Sequence, residues 1–185
     1  VYITQGFIGA NKDGQTTTLG REGSDYSAAI LAWSVDANEV VIWKDVLGLL
    51  NADPKLFKKT EQLFKISFKE AIELSYLGAS VIHPKTIKPL QNKGIPLSIR
   101  SFLNDSQKGS VISNNGENDR DIPSFIFKPN QLLISISTKD YSFIFEDHIS
   151  ELFQLFAEVG LKVHLMQNSA LNFSICGHIK TPLLP

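Results

Sequence analysis

The sequence predicts an α/β protein: a sandwich built on a largely parallel sheet, followed by a smaller α+β domain. Three observations predict it. Over residues 1–113 short apolar runs alternate with helical patterns, the order expected of a sheet faced by helices. Residues 114–121 (NNGENDRD) form a polar stretch of linker type. Beyond them the pattern changes to strand, helix, strand, strand. The expected domains are therefore 1–121 and 122–185.

The elements follow in order. Residues 1–9 (VYITQGFIG) read as a buried strand ending at Gly6 and Gly9. Because the chain opens inside this apparent strand, a processed chain or an excised piece is expected. Asp13-Gly14 marks a turn within the polar residues 10–23. Ser24 is the expected N-cap of a helix that carries Ala28, Leu31, Ala32 and Val35 at helical spacing. Residues 39–43 (EVVIW) read as a parallel strand covered on both faces. Ser67 and Glu70 form a capping-box pattern for a helix that stops at Gly78. His83-Pro84 opens another helix, which ends near Gly94, and residues 96–100 and 109–113 read as strands. In the second region, residues 124–138 are strand-like. Ile149, Leu152, Phe153, Phe156 and Val159 form a helical stripe closed by Gly160, and strand-like runs follow at 161–166 and 171–176. A ferredoxin-like unit needs one more helix and strand than this.

Composition limits the function. The 185 residues are 43% hydrophobic and include twelve Phe, so a core can form. The net charge of -1 argues against a nucleic-acid binder, which needs a basic surface for phosphates. No apolar run approaches a membrane span, and no polybasic anchor is present. A single cysteine, Cys176, rules out an intrachain disulfide and suits a reducing, cytoplasmic setting. The spacing of His83, His148, His164 and His178 fits no metal-site pattern, so no metal ligands are assigned. Trp33 and Trp43 fall on periodic elements and are expected in or near the core.

The most specific segment is TTTLGREGSDYSAAI (16–30). It is a loop with Gly20 and Gly23 that runs into a helix N-terminus, where free N–H groups attract anions. Arg21 offers a planar fork that matches a carboxylate or phosphate. Asp25 is placed to orient lysines or a metal ion near phosphate. By composition alone, a capped surface helix with a solvated arginine is the favoured reading of the segment, since short motifs match by chance.

Three stretches carry a family resemblance: residues 1–32, VVIWKDVLGLLNADPK (40–55) and FKEAIELSYLGASVIHPKTIKPL (68–90). In order and spacing they resemble the signatures of aspartate kinases, across nearly all of residues 1–113. The resemblance implies the amino-acid-kinase fold, a three-layer α/β/α sandwich, of which this chain would hold the C-terminal half. It implies transfer of the γ-phosphoryl group of ATP to the β-carboxylate of L-aspartate with Mg²⁺, the first step toward lysine, threonine and methionine. Phe7, Arg21, Ser24 and Asp25 match the aspartate contacts, and Asp25 also matches the acid that organises catalytic lysines. Lys44, Asp45, Leu50, Lys55, Ser80 and Val81 match the nucleotide side.

The chain departs from the usual pattern at Glu22 (Gly in most members), Lys44 (Thr), Leu50 (Tyr), Lys55 (Arg) and Ser80 (Lys). These changes gather on the nucleotide side. No Lys-Phe-Gly-Gly-Thr-type loop, which cradles the phosphates in the family, occurs in residues 1–185. The 185 residues alone are therefore expected to be inactive. Residues 124–177 resemble, more distantly, part of an ACT regulatory domain. That implies pairing into a homodimer and a lysine or threonine effector, with Gln167, Asn168 and Ser169 as candidate contacts or as an ordinary polar turn. A non-catalytic regulatory module is the alternative reading, and γ-glutamyl kinase a more distant one.

Overall fold

The computed structural model describes residues 1–79, 81–104, 106–116, 119 and 121–179. It divides into two compact units, Val1–Phe127 and Lys128–Pro185. The division falls later than the 121/122 boundary read from the sequence. Residues 122–127 pack on the first unit: Ile122 and Ile126 lie against its core, and Phe125 N–H donates to Asn51 O at 2.6 Å.

The first unit opens with a hairpin. β1 (Ile8–Ala10) pairs antiparallel with β2 (Thr16–Thr18). Asn11 Oδ1 accepts from the N–H groups of Asp13 and Gln15, and Gly14 takes φ 77°. The threonine run is thus a strand that the sequence reading left in a loop. The buried strand expected over 1–9 does not form. Val1, Tyr2 and Ile3 are fully exposed, because no described strand pairs with them.

A four-stranded sheet follows, in the order β3 (Val40–Lys44), β5 (Leu97–Ser101), β6 (Ser110–Ser113), β4 (Lys65–Ser67). Two pairings are parallel and one, β5 with β6, is antiparallel. Register puts Val40, Ile42, Leu97, Ile99, Ile112 and Ile66 on one face, and all six are buried. Helices α1 (Gly23–Ser34), α2 (Phe68–Leu77) and α3 (Pro84–Lys93) contribute Ala29, Ala32, Leu74, Ile87 and Leu90 to the same core. On the opposite face Ser98 and Ser67 are buried, but β3 is exposed. Val41 is 36% and Trp43 49% exposed, so β3 is not covered on both sides. Trp33 is likewise half-exposed on α1 and holds Lys93 Nζ 4.3 Å above its ring.

Two helix boundaries follow the sequence reading. Ser67 Oγ accepts from Glu70 N–H at 3.0 Å, and α2 ends at Gly78. His83 Nδ1 accepts from Lys85 N–H at 3.1 Å, Pro84 opens α3, and Gly94 closes it in the left-handed region. The start of α1 differs. Glu22, at φ 55°, stands at the N-cap without a side-chain bond, and Ser24 lies inside the first turn.

The second unit is a three-stranded antiparallel sheet, β7 (Leu132–Ser137), β9 (Asn172–Ile179), β8 (Leu161–Asn168), with α4 (Glu146–Glu158). Phe156 of α4 is buried with Leu161, Phe173 and Ile175. Gly160, at φ 68°, ends the helical segment and turns into β8. No helix among the described residues is long and apolar enough to cross a membrane.

Candidate functional site

The site grows from the entry to α1. Gly20 and Glu22 both take positive φ, which bends the loop sharply before the helix. Gly23 is buried, and a Cβ there would stand 2.8 Å from the Phe7 ring and 2.9 Å from Leu19 Cβ. Only glycine lets Phe7 come this close. Phe7 is clamped from both sides. Its N–H donates to Ser27 Oγ at 2.9 Å, and its carbonyl accepts from Leu19 N–H at 2.9 Å. Its ring, 43% exposed, sits beside the first turn of α1. Ser24 and Arg21 are exposed on the same loop and turn.

Asp25 belongs to that first turn, where the partial positive charge of the helix end favours a carboxylate. Lys44 ends β3 and reaches across. Its Nζ lies 2.9 Å from Asp25 Oδ2, with side chains 21% and 14% exposed. Lys44 also donates to the carbonyl of Val81. Asp25 Oδ2 is buried without a well-aligned hydrogen bond, so the contact with Lys44 is one of charge rather than of bond direction. One ammonium thus ties the acid in the first turn of α1 to the turn that precedes α3. A second cation, which the sequence reading missed, lies nearby: Lys85 Nζ is 3.4 Å from Leu19 O. Its place just after His83-Pro84, at the start of α3, was the available signal.

Behind this pair lies a cleft of about 300 Å³, lined by Leu50, Lys55, Ala79, Val81 and Phe125 among others. It brings together Leu50, Lys55 and Val81 of the nucleotide-side residues. Asp45 is exposed and does not line the cleft. Ser80 lies outside the described residues. The cleft walls are held by local pairing: Leu50 bridges Gln62 and Ala52 bridges Phe125. Phe125 entered no sequence-based site because residues 122–127 were assigned to the other domain.

In the second unit Gln167 and Asn168 are exposed at the end of β8. Ser169 serves the turn into β9: its Oγ donates to Asn172 O and accepts from Asn172 N–H, each at 3.1 Å.

Fold and site define an α/β protein of the amino-acid-kinase class, and known proteins agree. The chain is 34% identical over 175 residues to the lysine-sensitive aspartokinase 3 of Escherichia coli K12, covering 95% of this chain and 39% of that one. It is 32% identical over 178 residues to aspartokinase 1, chloroplastic, of Arabidopsis thaliana, covering 95% of this chain and 31% of the relative. Among solved structures, E. coli aspartokinase III in complex with aspartate and ADP (R-state) matches with TM-score 0.75 at 32% identity, over 95% of this chain and 39% of that chain. The Clostridium acetobutylicum aspartate kinase matches with TM-score 0.77 at 26% identity, over 94% and 41%. The chain therefore spans about two fifths or less of the length of these relatives. The profile of the amino acid kinase family matches residues 1–101. The chain belongs to the amino acid kinase family.

Proposed function

We propose that the chain is part of an aspartate kinase, which transfers the γ-phosphoryl group of ATP to the β-carboxylate of L-aspartate, and that its first unit holds the aspartate side and part of the nucleotide side. The observation that carries this reading is the Lys44 ammonium held between Asp25 and the Val81 carbonyl. It joins the helix end where a substrate carboxylate would sit to the wall of the cleft where a nucleotide would sit.

Phosphoryl transfer depends almost wholly on positioning and on stabilising charge. In this reading Arg21 forks onto a carboxylate of aspartate, Phe7 walls the pocket and Ser24 offers a hydroxyl. Asp25 is the catalytic acid that orients cations, Lys44 among them. Leu50 and the apolar cleft wall take the base of ATP, Lys55 and the exposed Asp45 lie toward its phosphates, and Val81 closes the cleft. Mg²⁺ is commonly held by one or two carboxylates together with substrate phosphates. Asp25 and Glu22, each with a buried oxygen that lacks a hydrogen-bond partner, have the right chemistry for that. Bound there, the ion would offset the charge of the transferring phosphoryl group. The 185 residues alone would bind ligands without turning over. The second unit is read as an ACT-type effector module that pairs as a homodimer, with lysine the effector suggested by the name of the E. coli relative and Gln167 and Asn168 as contacts. The hydrogen bonds of Ser169 within its own turn weigh against a role for that residue.

Calorimetric titration of the chain with L-aspartate and with ATP–Mg²⁺ tests the catalytic reading. Binding of either, with Arg21→Ala weakening aspartate alone, is the expected result. No binding of either ligand by the folded chain would overturn it. A lysine titration decides the effector reading separately.

A further inference from the structure

Among the described residues α4 covers one face of the second unit's sheet and no element covers the other, where the basic residues gather. Leu161 and Val163 point to the core with Phe173 and Ile175. Alternation therefore turns Lys162, Cys176 and His178 the other way; His164 sits at the register shift between Val163 and Leu165 and is placed beside them by its contact with His178. Lys162 and His178 are direct cross-strand partners. The His164 and His178 rings lie edge to edge and nearly coplanar, with centroids 4.9 Å apart and 17° between planes. His164 Nε2 is 2.7 Å from His178 Nδ1, and Lys128 Nζ is 3.3 Å from His164 Nδ1.

Hydrogen-bond chemistry fixes the direction of this chain. A lysine ammonium only donates, so His164 Nδ1 accepts. Its Nε2 then carries the proton and donates to His178 Nδ1, leaving the proton of His178 on Nε2. Both imidazoles are neutral in this arrangement. The groups facing His164 are Lys162 from β8, Cys176 and His178 from β9, and Lys128 from the segment before β7; β7 itself contributes no ionisable residue. Among the described residues the ion pairs are Lys44–Asp25, Lys93–Asp36 and His148–Asp147. None of them supplies a carboxylate to Lys128 or Lys162.

We propose that Lys128, Lys162, His164 and His178 form a binding site for a small divalent oxyanion, such as a phosphate group, which is taken up together with a proton on His164. Among the described residues the cluster holds cations and potential cations side by side with no paired carboxylate, and a multivalent oxyanion provides the counter-charge. Protonated His164 has two N–H donors, and Lys128, released from Nδ1, turns to the anion. Burial, and after it Lys128, His178 and Lys162, hold the His164 pKa below its usual value. An anion removes the repulsive part of that effect, so binding and protonation assist each other. A metal ion fits less well: lysine ammonium groups do not ligate, and among the described residues no group of three or more His, Cys, Asp or Glu side chains is placed to hold one. The proposal is independent of the catalytic reading of the first unit.

Sulfate is the suitable probe, because its own charge does not change near neutrality. The full chain is titrated with sulfate at about pH 6 and about pH 8 at constant ionic strength, a range that spans ordinary histidine titration. The imidazole resonances of His164 and His178 report binding. The expected result is binding about tenfold tighter at the lower pH, where His164 takes up its proton. His164→Gln should abolish that pH dependence, and Lys162→Gln, at an exposed position, should weaken binding at both pH values. Orthophosphate and glycerol phosphate then separate a free ion from a phosphomonoester as the source. The proposal falls if sulfate leaves both resonances unmoved, if chloride moves them equally, or if zinc ion binds the pair stoichiometrically and sulfate does not.

Discussion

Lys44 Nζ stands 2.9 Å from Asp25 Oδ2 while donating to the carbonyl of Val81. The contact joins the end of a strand, the first turn of a helix and the turn before another helix. Lys44→Met removes the cation and leaves the largely buried Asp25 carboxylate uncompensated, at a cost of about 1–3 kcal/mol. Urea denaturation followed by tryptophan fluorescence measures this, since both tryptophans, Trp33 and Trp43, lie in the first unit. The Lys44→Met/Asp25→Asn double variant should recover part of the loss, because residues in contact couple. Strictly additive losses would show that the pair is not an interacting unit.

Glu22 enters α1 at φ 55° with a buried, unpartnered Oε2. Left-handed backbone costs a non-glycine residue roughly 1–2 kcal/mol, and glycine gives back about 0.5–1 kcal/mol through the unfolded chain. Glu22→Gly should therefore leave the thermal midpoint of the first unit unchanged or raise it slightly. Glu22→Val, β-branched in the same conformation, should lower it. The reverse order would contradict the backbone geometry.

Ser67 caps α2 through Glu70 N–H, and its own N–H donates to Asp119 Oδ1 at 2.8 Å. Ser67→Ala keeps the second bond and loses the first. The expected loss is about 1 kcal/mol, and a midpoint shift in urea with an unchanged slope would register it. No shift would mean that water replaces the cap without penalty.

Because His164 titrates below its usual 6.5 in the fold, the unfolded chain takes up this proton first as pH falls. The stability associated with neutral His164 is fully present above the unfolded value of about 6.5 and is lost as pH falls from there through the lower folded value. Protection factors against amide hydrogen exchange in β8 and β9, which correct for the slower intrinsic exchange at lower pH, should fall over that window in anion-free buffer. His164→Gln should flatten the response, and an unchanged pH slope in that variant would remove His164 as its source.

The helix punctuation was legible because capping chemistry is local. Ser67, Gly78, His83-Pro84 and Gly94 act within one turn of their own positions, and the structure uses each as read; of the Ser67–Glu70 box it makes one half, since Ser67 N–H donates to Asp119 rather than to Glu70. Ser24 misled because a good capping residue is not used when the chain enters its helix from a left-handed residue. That entry is set by Gly23, whose missing side chain admits the Phe7 ring. The threonine strand of the hairpin was missed because its exposed polar residues carry no alternation.

By itself, the sequence determined the α/β class, the family resemblance and the residues proposed to bind carboxylates and nucleotides. Those depend on side-chain type and on spacing along the chain. Only the tertiary structure decided that Lys44 is bound to Asp25, that Leu50, Lys55 and Val81 share a cleft with Phe125 while Asp45 stays outside it, and that residues 122–127 belong to the first unit. It also decided that two histidines of adjacent strands meet edge to edge beside lysines, with no carboxylate paired to those lysines among the described residues. Each of these joins residues far apart in sequence, and their meeting is set by sheet register and helix packing, which no local pattern encodes.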